Sequence, residues 1–403
     1  MPAAPTAPTV ADAPPPIAPG EFAQRRERTR RAIDAAGLDG LLAWGSVDWS
    51  WAVRWLADHQ SGFASAAPFG DKGFSALVLP VDGEPILVLD QRVPAADLTV
   101  ADARTVESVT EGVAQALRDA GLAGKRVGIA GEGAFLDRQR RAIEAQLAAA
   151  GAAAVTLVAA DAIVEPLHRV KSPAEIALLR HASAVGGAWI GAMVEAAEPG
   201  RTEADLVALG MPVLLAGGGF PDDVVIGSGL PCRPNAPRGV PSFDARRPLR
   251  QGDLLRVDGF GPVLGYYTDL ARSACVGQPA SEPQAVVLQQ AVDLIQTLID
   301  TVRPGVTHAA VHDAGVAFLT ERGHPPHGYF EGFVPMFGHQ LGLTTEGPFI
   351  AASSTQPIEA GQVLALEIVM GTPETGGISH EEAIVVHPDR NEVLTAACPA
   401  VWW

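Results

Sequence analysis

Between residues 21 and 158, apolar positions fall into short runs separated by stretches of helical periodicity. Residues 21–36 read as a charged helix closed by Gly37, and 40–44, 74–79 and 85–89 read as strands, the last two joined by Val81-Asp82-Gly83-Glu84. Further strands are expected at 126–130 and 154–158, around a helix at about 136–150. Strands alternating with helices predict a small α/β domain. Ahead of it, residues 1–20 are rich in Pro, Ala and Thr without periodicity, and read as a disordered tail.

The pattern changes after residue 168. Ser172 is placed to cap a helix, Pro173 takes the first helical position, where its missing N–H costs nothing, and Glu175 completes a capping box. That helix should run to about residue 197. Others are expected at 202–216, 281–302 and 307–322, the last closed by Gly323. Apolar β-like runs cover 254–258, 266–276, 363–370 and 378–386. A loop containing Gly259, Gly261, Pro262 and Gly265 should join the first two runs, and Gly371, Gly376 and Gly377 the last two. Periodicity therefore gives an α/β domain over 21–168 and an α+β domain over 169–403.

Those four runs carry the candidate chemistry. Asp258 and Asp269 sit on one pair and can face each other across a hairpin; Glu367 and Glu381 sit on the other pair in a similar relation. His339 lies in Gly338-His339-Gln340-Leu341-Gly342, where flanking glycines let backbone pass close to a site. Four carboxylates in one pocket repel and would take up protons unless positive charge sat among them. Two divalent cations would balance the four charges. One imidazole among oxygen ligands suits Mn, Fe, Co or Zn better than it suits a closed thiolate site, and a metal pair is what hydrolytic catalysis favours.

Composition narrows the partners. With 403 residues and 47% hydrophobic content the chain is long enough for two buried cores. A net charge of -17 disfavours nucleic acid and anionic membrane. Three cysteines, Cys232, Cys275 and Cys398, are widely spaced and odd in number, which fits a reducing compartment, with Cys275 expected in the core. No run of eighteen apolar residues occurs and the N-terminus lacks the order of a secretory signal, so the expected location is cytoplasmic.

From about residue 170 onward the chain resembles the catalytic domain of the creatinase, prolidase and aminopeptidase P superfamily. Asp258 and Asp269 keep that family's spacing; Gly338-His339, Leu366-Glu367 and Glu381-Glu382 match its later motifs. Lys171-Ser172-Pro173-Ala174-Glu175-Ile176, Arg247-Pro248-Leu249 and Gly252-Asp253 also fit. The resemblance implies a pita-bread catalytic domain, with helices outside a curved antiparallel sheet and metals on its inner face. It also implies a homodimer, in which the N-terminal domain shapes the active site of the neighbouring subunit.

Several positions depart from the family. Its peptidases carry further histidines near the metals, suited to moving a proton at neutral pH. Here the position four before His339 is Pro335, the position seven after it is Glu346, and the usual Pro-His region reads Val240-Pro241-Ser242-Phe243. Ser379 stands where an arginine is common, two before Glu381. The substitutes considered are Glu346 as a proton carrier, His327 swinging in from a loop, and Tyr267, which shares a strand face with Asp269 and can donate a hydrogen bond. His380 should point away from Glu381 and be structural. Trp44, Trp49, Trp51 and Trp55, with Asp48 among them, lie where relatives face the partner's site; they form either an aromatic wall for an apolar or cationic substrate, or a core or dimer surface.

The expected activity is that of a dinuclear metallohydrolase. A metal-bound hydroxide would cleave a C–N bond of a small amide, amidine or amino-acid derivative. An Xaa-Pro peptidase taking dipeptides, a metal-dependent lyase on a small carboxylate, and a non-catalytic binding protein are the alternatives. No nucleic-acid or membrane partner is expected.

Overall fold

The computed structural model describes residues 6–62, 72–230, 242–325, 336–372 and 374–402. Their contacts divide them into two units, one from Ile17 to His168 and one from Arg169 onward that also takes in the residues before Ile17.

In the first unit, helix α1 (Pro19–Ala35) leads into β1 (Gly40–Ser46) and α2 (Trp51–Ala57). The chain continues through β2 (Phe74–Pro80), β3 (Ile86–Leu89), β4 (Asp102–Thr105), α3 (Val109–Asp119), β5 (Arg126–Ala130), α4 (Asp137–Ala149), β6 (Thr156–Ala159) and α5 (Asp161–Arg169). The six strands make one sheet in the order β4-β3-β2-β1-β5-β6. β1, β2 and β3 pair antiparallel, and the outer pairs are parallel. β4 escapes a pattern-based reading because Asp102-Ala103-Arg104-Thr105 is a polar edge strand with no apolar run. Trp44, Trp51 and Trp55 are buried in this unit and Trp49 stays 39% exposed. The aromatic wall therefore reduces to a single exposed ring, since the other three fill core space.

Residues 6–20 are not the featureless tail that their composition suggests. Val10–Asp12 form a 3-10 turn in which the Thr9 amide and hydroxyl both donate to the Asp12 carboxylate. α1 then starts at Pro19, a residue preorganised for a helix start.

The second unit begins with α6 (Pro173–Glu195) and α7 (Glu203–Ala216), followed by β7 (Asp223–Ser228), β8 (Leu254–Val263) and β9 (Tyr266–Cys275). Then come α8 (Glu282–Thr301), α9 (His308–Glu321), β10 (Gly338–Leu341), β11 (Thr345–Glu346), β12 (Val363–Thr372), β13 (Gly376–Val386) and β14 (Asn391–Val393). The Ser172 hydroxyl accepts the Glu175 N–H and the Glu175 carboxylate accepts the Ser172 N–H, closing the expected capping box on α6. Glu175 also accepts the Tyr266 hydroxyl at 3.0 Å, which pins the start of α6 to β9.

β7-β8-β9 form one antiparallel sheet and β11-β10-β12-β13-β14 another. Ser273 on β9 joins them, its hydroxyl donating to the Ser379 carbonyl and accepting the Ser379 N–H on β13, each at 2.9 Å. One apolar cluster includes Trp189 on α6, Leu206 on α7 and Leu255 on β8; a second includes Leu294 on α8, Phe318 on α9 and Leu364 on β12. Cys398 lies in the first and Cys275 in the second, both as buried free thiols. Cys232 lies outside the described residues.

The expected glycine-rich loop after Asp258 is a strand. β8 runs through Gly259, Gly261 and Pro262 to Val263, and a two-residue turn at Leu264-Gly265, both at positive φ, reverses the chain. Such turns match strand twist, so the hairpin needs no longer loop. Among the described residues no helix is long and apolar enough to cross a membrane.

Candidate metal centre

Register on the two sheets decides which acidic side chains can meet. Asp258 pairs with Ala271, and Asp269 with Phe260, so the aspartates leave the same face two positions apart along the hairpin. They are diagonal neighbours across the hairpin. Glu367 and Glu381 are directly opposed on β12 and β13. His339 pairs with Ala365, two positions from Glu367 and on its face.

His339 stands between the pairs. Its Nε2 is 3.5 Å from Asp269 Oδ2 and 3.9 Å from Glu367 Oε1. Nδ1–H donates to the Gln340 carbonyl at 3.0 Å, which leaves the Nε2 lone pair facing the carboxylates. Burial holds the imidazole below its ordinary pKa, so it stays a neutral donor. Gly338 lets this strand approach β12: its φ is +132°, and a Cβ there would lie 2.0 Å from the Ala365 carbonyl oxygen.

Single donor atoms from Asp269, His339 and Glu381 lie within 4.8 Å of one another. Burial, and then the mutual repulsion of the acids, raises Asp269 and Glu381 well above the ordinary carboxylate range. Burial likewise takes Asp258 and Glu367 to about 6, with the Arg256 charge pulling both the other way. Glu381 Oε1 is buried and has no hydrogen-bond partner. An unsatisfied buried carboxylate oxygen beside three other acids is costly without a cation, so the donor set fits divalent metal.

Neighbouring cations hold the frame. Arg272 donates to the Glu381 carbonyl at 2.6 Å and pairs with Glu382 at 2.7 Å, fixing the strand on which Glu381 rides. Burial alone would raise Glu382, but Arg272, with His380 and Thr395, brings it to about 2. His380 opposes Ile368 while Glu381 opposes Glu367, and it lies 3.5 Å from Glu382; it faces away from the cluster as expected. Arg256 donates to Asp258 at 3.2 Å. Sequence reasoning misses Arg256, whose one signal is a lone charge inside the apolar run Leu254-Leu255-Arg256-Val257-Asp258.

The other candidates fare differently. Glu346 forms a buried ion pair with Lys171, Nζ to Oε2 at 2.6 Å, and accepts the Leu343 N–H at 2.9 Å. It opposes Gln340 rather than His339 in register. A carboxylate already committed to an ammonium and an amide is a poor base, which counts against the proton carrier read from its position. Tyr267 is two residues before Asp269 on β9 and its N–H donates to the Gly342 carbonyl at 2.8 Å, tying β9 to the segment after His339. Ser242 donates to Asp223 and its carbonyl accepts the Ile226 N–H. His327 and Pro335 lie outside the described residues.

Residues 177–388 match the model of metallopeptidase family M24. The chain is similar to the probable dipeptidase PepE of Mycobacterium bovis, 28% identical over 389 residues, covering 94% of this chain and 95% of the relative. The solved dipeptidase PepE from Mycobacterium ulcerans superposes with a TM-score of 0.73 at 26% identity, over 94% of this chain and 97% of that one. The Xaa-Pro dipeptidase from Bacillus anthracis shares the fold at a TM-score of 0.75 and 21% identity, over 93% and 97%. The second unit is thus a pita-bread domain following a creatinase-type α/β domain. Over more than half its length the chain belongs to metallopeptidase family M24, and it is a metallohydrolase of the Xaa-Pro peptidase type.

Proposed function

We propose that the protein hydrolyses the amide bond of a dipeptide-sized substrate, using two divalent ions held by Asp258, Asp269, His339, Glu367 and Glu381. The relatives are named dipeptidases, which moves the substrate from the small amide or amidine expected from the missing histidines toward a short peptide. The observation that carries the metal reading is Glu381: a buried carboxylate with one oxygen unpartnered, beside Asp269 and the Nε2 of His339. When bound, Mn, Co, Fe or Zn would supply an activated water at neutral pH and polarise the carbonyl under attack.

The chain's own residues prepare that site. His339 presents Nε2 because Gln340 holds Nδ1–H, and Arg272 keeps Glu381 in place through its backbone. Tyr267, on the face of Asp269, is assigned a hydrogen bond to substrate near the metals. Glu346 is assigned to the Lys171 pair that anchors the loop after His339, in place of a proton-carrying role. We also carry a homodimer as part of this reading.

The test is a panel of dipeptides with and without proline in second place, incubated with metal-stripped protein before and after adding Mn or Co. Metal-dependent release of free amino acids supports the reading. A fully metal-loaded protein that cleaves no dipeptide contradicts it, and light scattering that finds only monomer removes the dimer.

A further inference from the structure

The face that carries the ligands also carries a charge that the ligand set does not use. Arg256 stands on β8 two residues ahead of Asp258 and on the same face, is 2% exposed, and donates from Nη2 to Asp258 Oδ2 at 3.2 Å. Its cross-strand neighbours are Gly227 on β7 and Ser273 on β9, both small. Ser273 is bonded in turn to the backbone of Ser379 on β13, whose own hydroxyl is buried with no hydrogen-bond partner. A long guanidinium thus enters the acidic cluster from β8, past small residues on the strands beside it.

A fixed cation next to two divalent ions is repelled by both, so its presence there needs a compensating gain. The grouping of the donors supplies one. Asp269, His339 and Glu381 gather their donor atoms within 4.8 Å of one another, and Asp258 is not in that group. One Asp258 oxygen is held by Arg256, whose charge also acts on Glu367. A guanidinium that holds one oxygen fixes the direction of the other, which outer partners of metal ligands commonly do.

We propose that Arg256 is a positioning residue that orients Asp258 toward one of two divalent ions, so that the two ions bind with separable dependence on Arg256. This rests on the five-residue metal reading above. The ion held by Asp269, His339 and Glu381 draws on donors other than Asp258, the carboxylate that Arg256 holds; the ion that needs Asp258 depends on Arg256.

The experiment is a calorimetric titration of Mn(II) into metal-stripped wild-type protein, Arg256→Met and Arg256→Lys. Wild type should take up two equivalents. In Arg256→Met one equivalent should weaken by about 10- to 100-fold while the other holds its affinity, the range that outer partners of metal ligands are worth. Arg256→Lys should recover part of that loss in the same equivalent. If Arg256→Met does not fold, Arg256→Lys carries the test, and a selective weakening of one equivalent supports the assignment. Two equivalents at wild-type affinity in the variants, or equal weakening of both, overturn it. Uptake of no divalent ion by wild type would instead overturn the metal reading itself.

Discussion

Glu381 stands directly across from Glu367 on β12 and β13, so two carboxylates leave one sheet face a single strand spacing apart. Like charges so placed repel, and burial sharpens the repulsion. The aspartates avoid direct opposition by a two-residue offset, and His339 Nε2 sits within 4 Å of an oxygen from each pair. One neutral imidazole and the single guanidinium of Arg256 cannot balance four acids. A metal-free protein must therefore bind protons there, and a loaded one has no need to.

That difference fixes a pH dependence. In the metal-free fold burial brings Asp258 and Glu367 to about 6, above the ordinary values of 3.8 and 4.5, against the pull of the Arg256 charge. The native state then holds protons that the unfolded chain has released, so this contribution to stability is complete below the ordinary values and is lost as pH rises through about 6. Thermal melts of chelator-treated protein should show a falling Tm from about pH 5 to about pH 7.5, and added Mn should raise Tm more at the upper end. A metal-free Tm that climbs over that interval contradicts the coupling.

Lys171 and Glu346 make a second quantitative case. Removing one partner of a buried pair leaves an uncompensated charge, at a cost of about 3–5 kcal/mol. Lys171→Met and Glu346→Leu should each lose stability on that scale, while the double variant should lose less than their sum. Denaturant unfolding measures this. If Glu346→Gln instead folds as wild type and loses an ionisation from the pH profile of kcat/KM, Glu346 is the proton carrier after all.

Gly338 is tested by a single methyl group. A side chain at this position would place its Cβ 2.0 Å from the Ala365 oxygen, at a φ that L-residues rarely adopt. Gly338→Ala should cost roughly 1–3 kcal/mol and displace His339, so metal affinity falls together with stability. Unchanged metal affinity would show that the strand tolerates the shift and that His339 is not held this way.

Much of this is legible in the chain, for physical reasons that also explain what is not. The capping box at Ser172 and Glu175 announces α6 because its hydrogen bonds are local in sequence. The long apolar runs announce β8, β9, β12 and β13, and with them the candidate ligands. The short strands β4, β11 and β14 carry too few apolar residues for a pattern to show. β8 extends beyond its apolar run because Gly259, Gly261 and Pro262 look like loop residues until the β9 register is known. The Lys171–Glu346 pair spans 175 positions of chain, a separation at which neither residue signals the other. Arg256 lies in plain view, but only its register beside Asp258 gives it meaning.

The most direct measurement is anomalous scattering from crystals of the protein grown with Mn or Co. Two peaks are expected, roughly 3.5–4 Å apart, the usual spacing in two-metal sites. Both should lie among Asp258, Asp269, His339, Glu367 and Glu381, with Glu381 Oε1 bound to one of them. Fully occupied ions elsewhere, or a metal-saturated protein with no peak among these five side chains, would contradict the proposed centre.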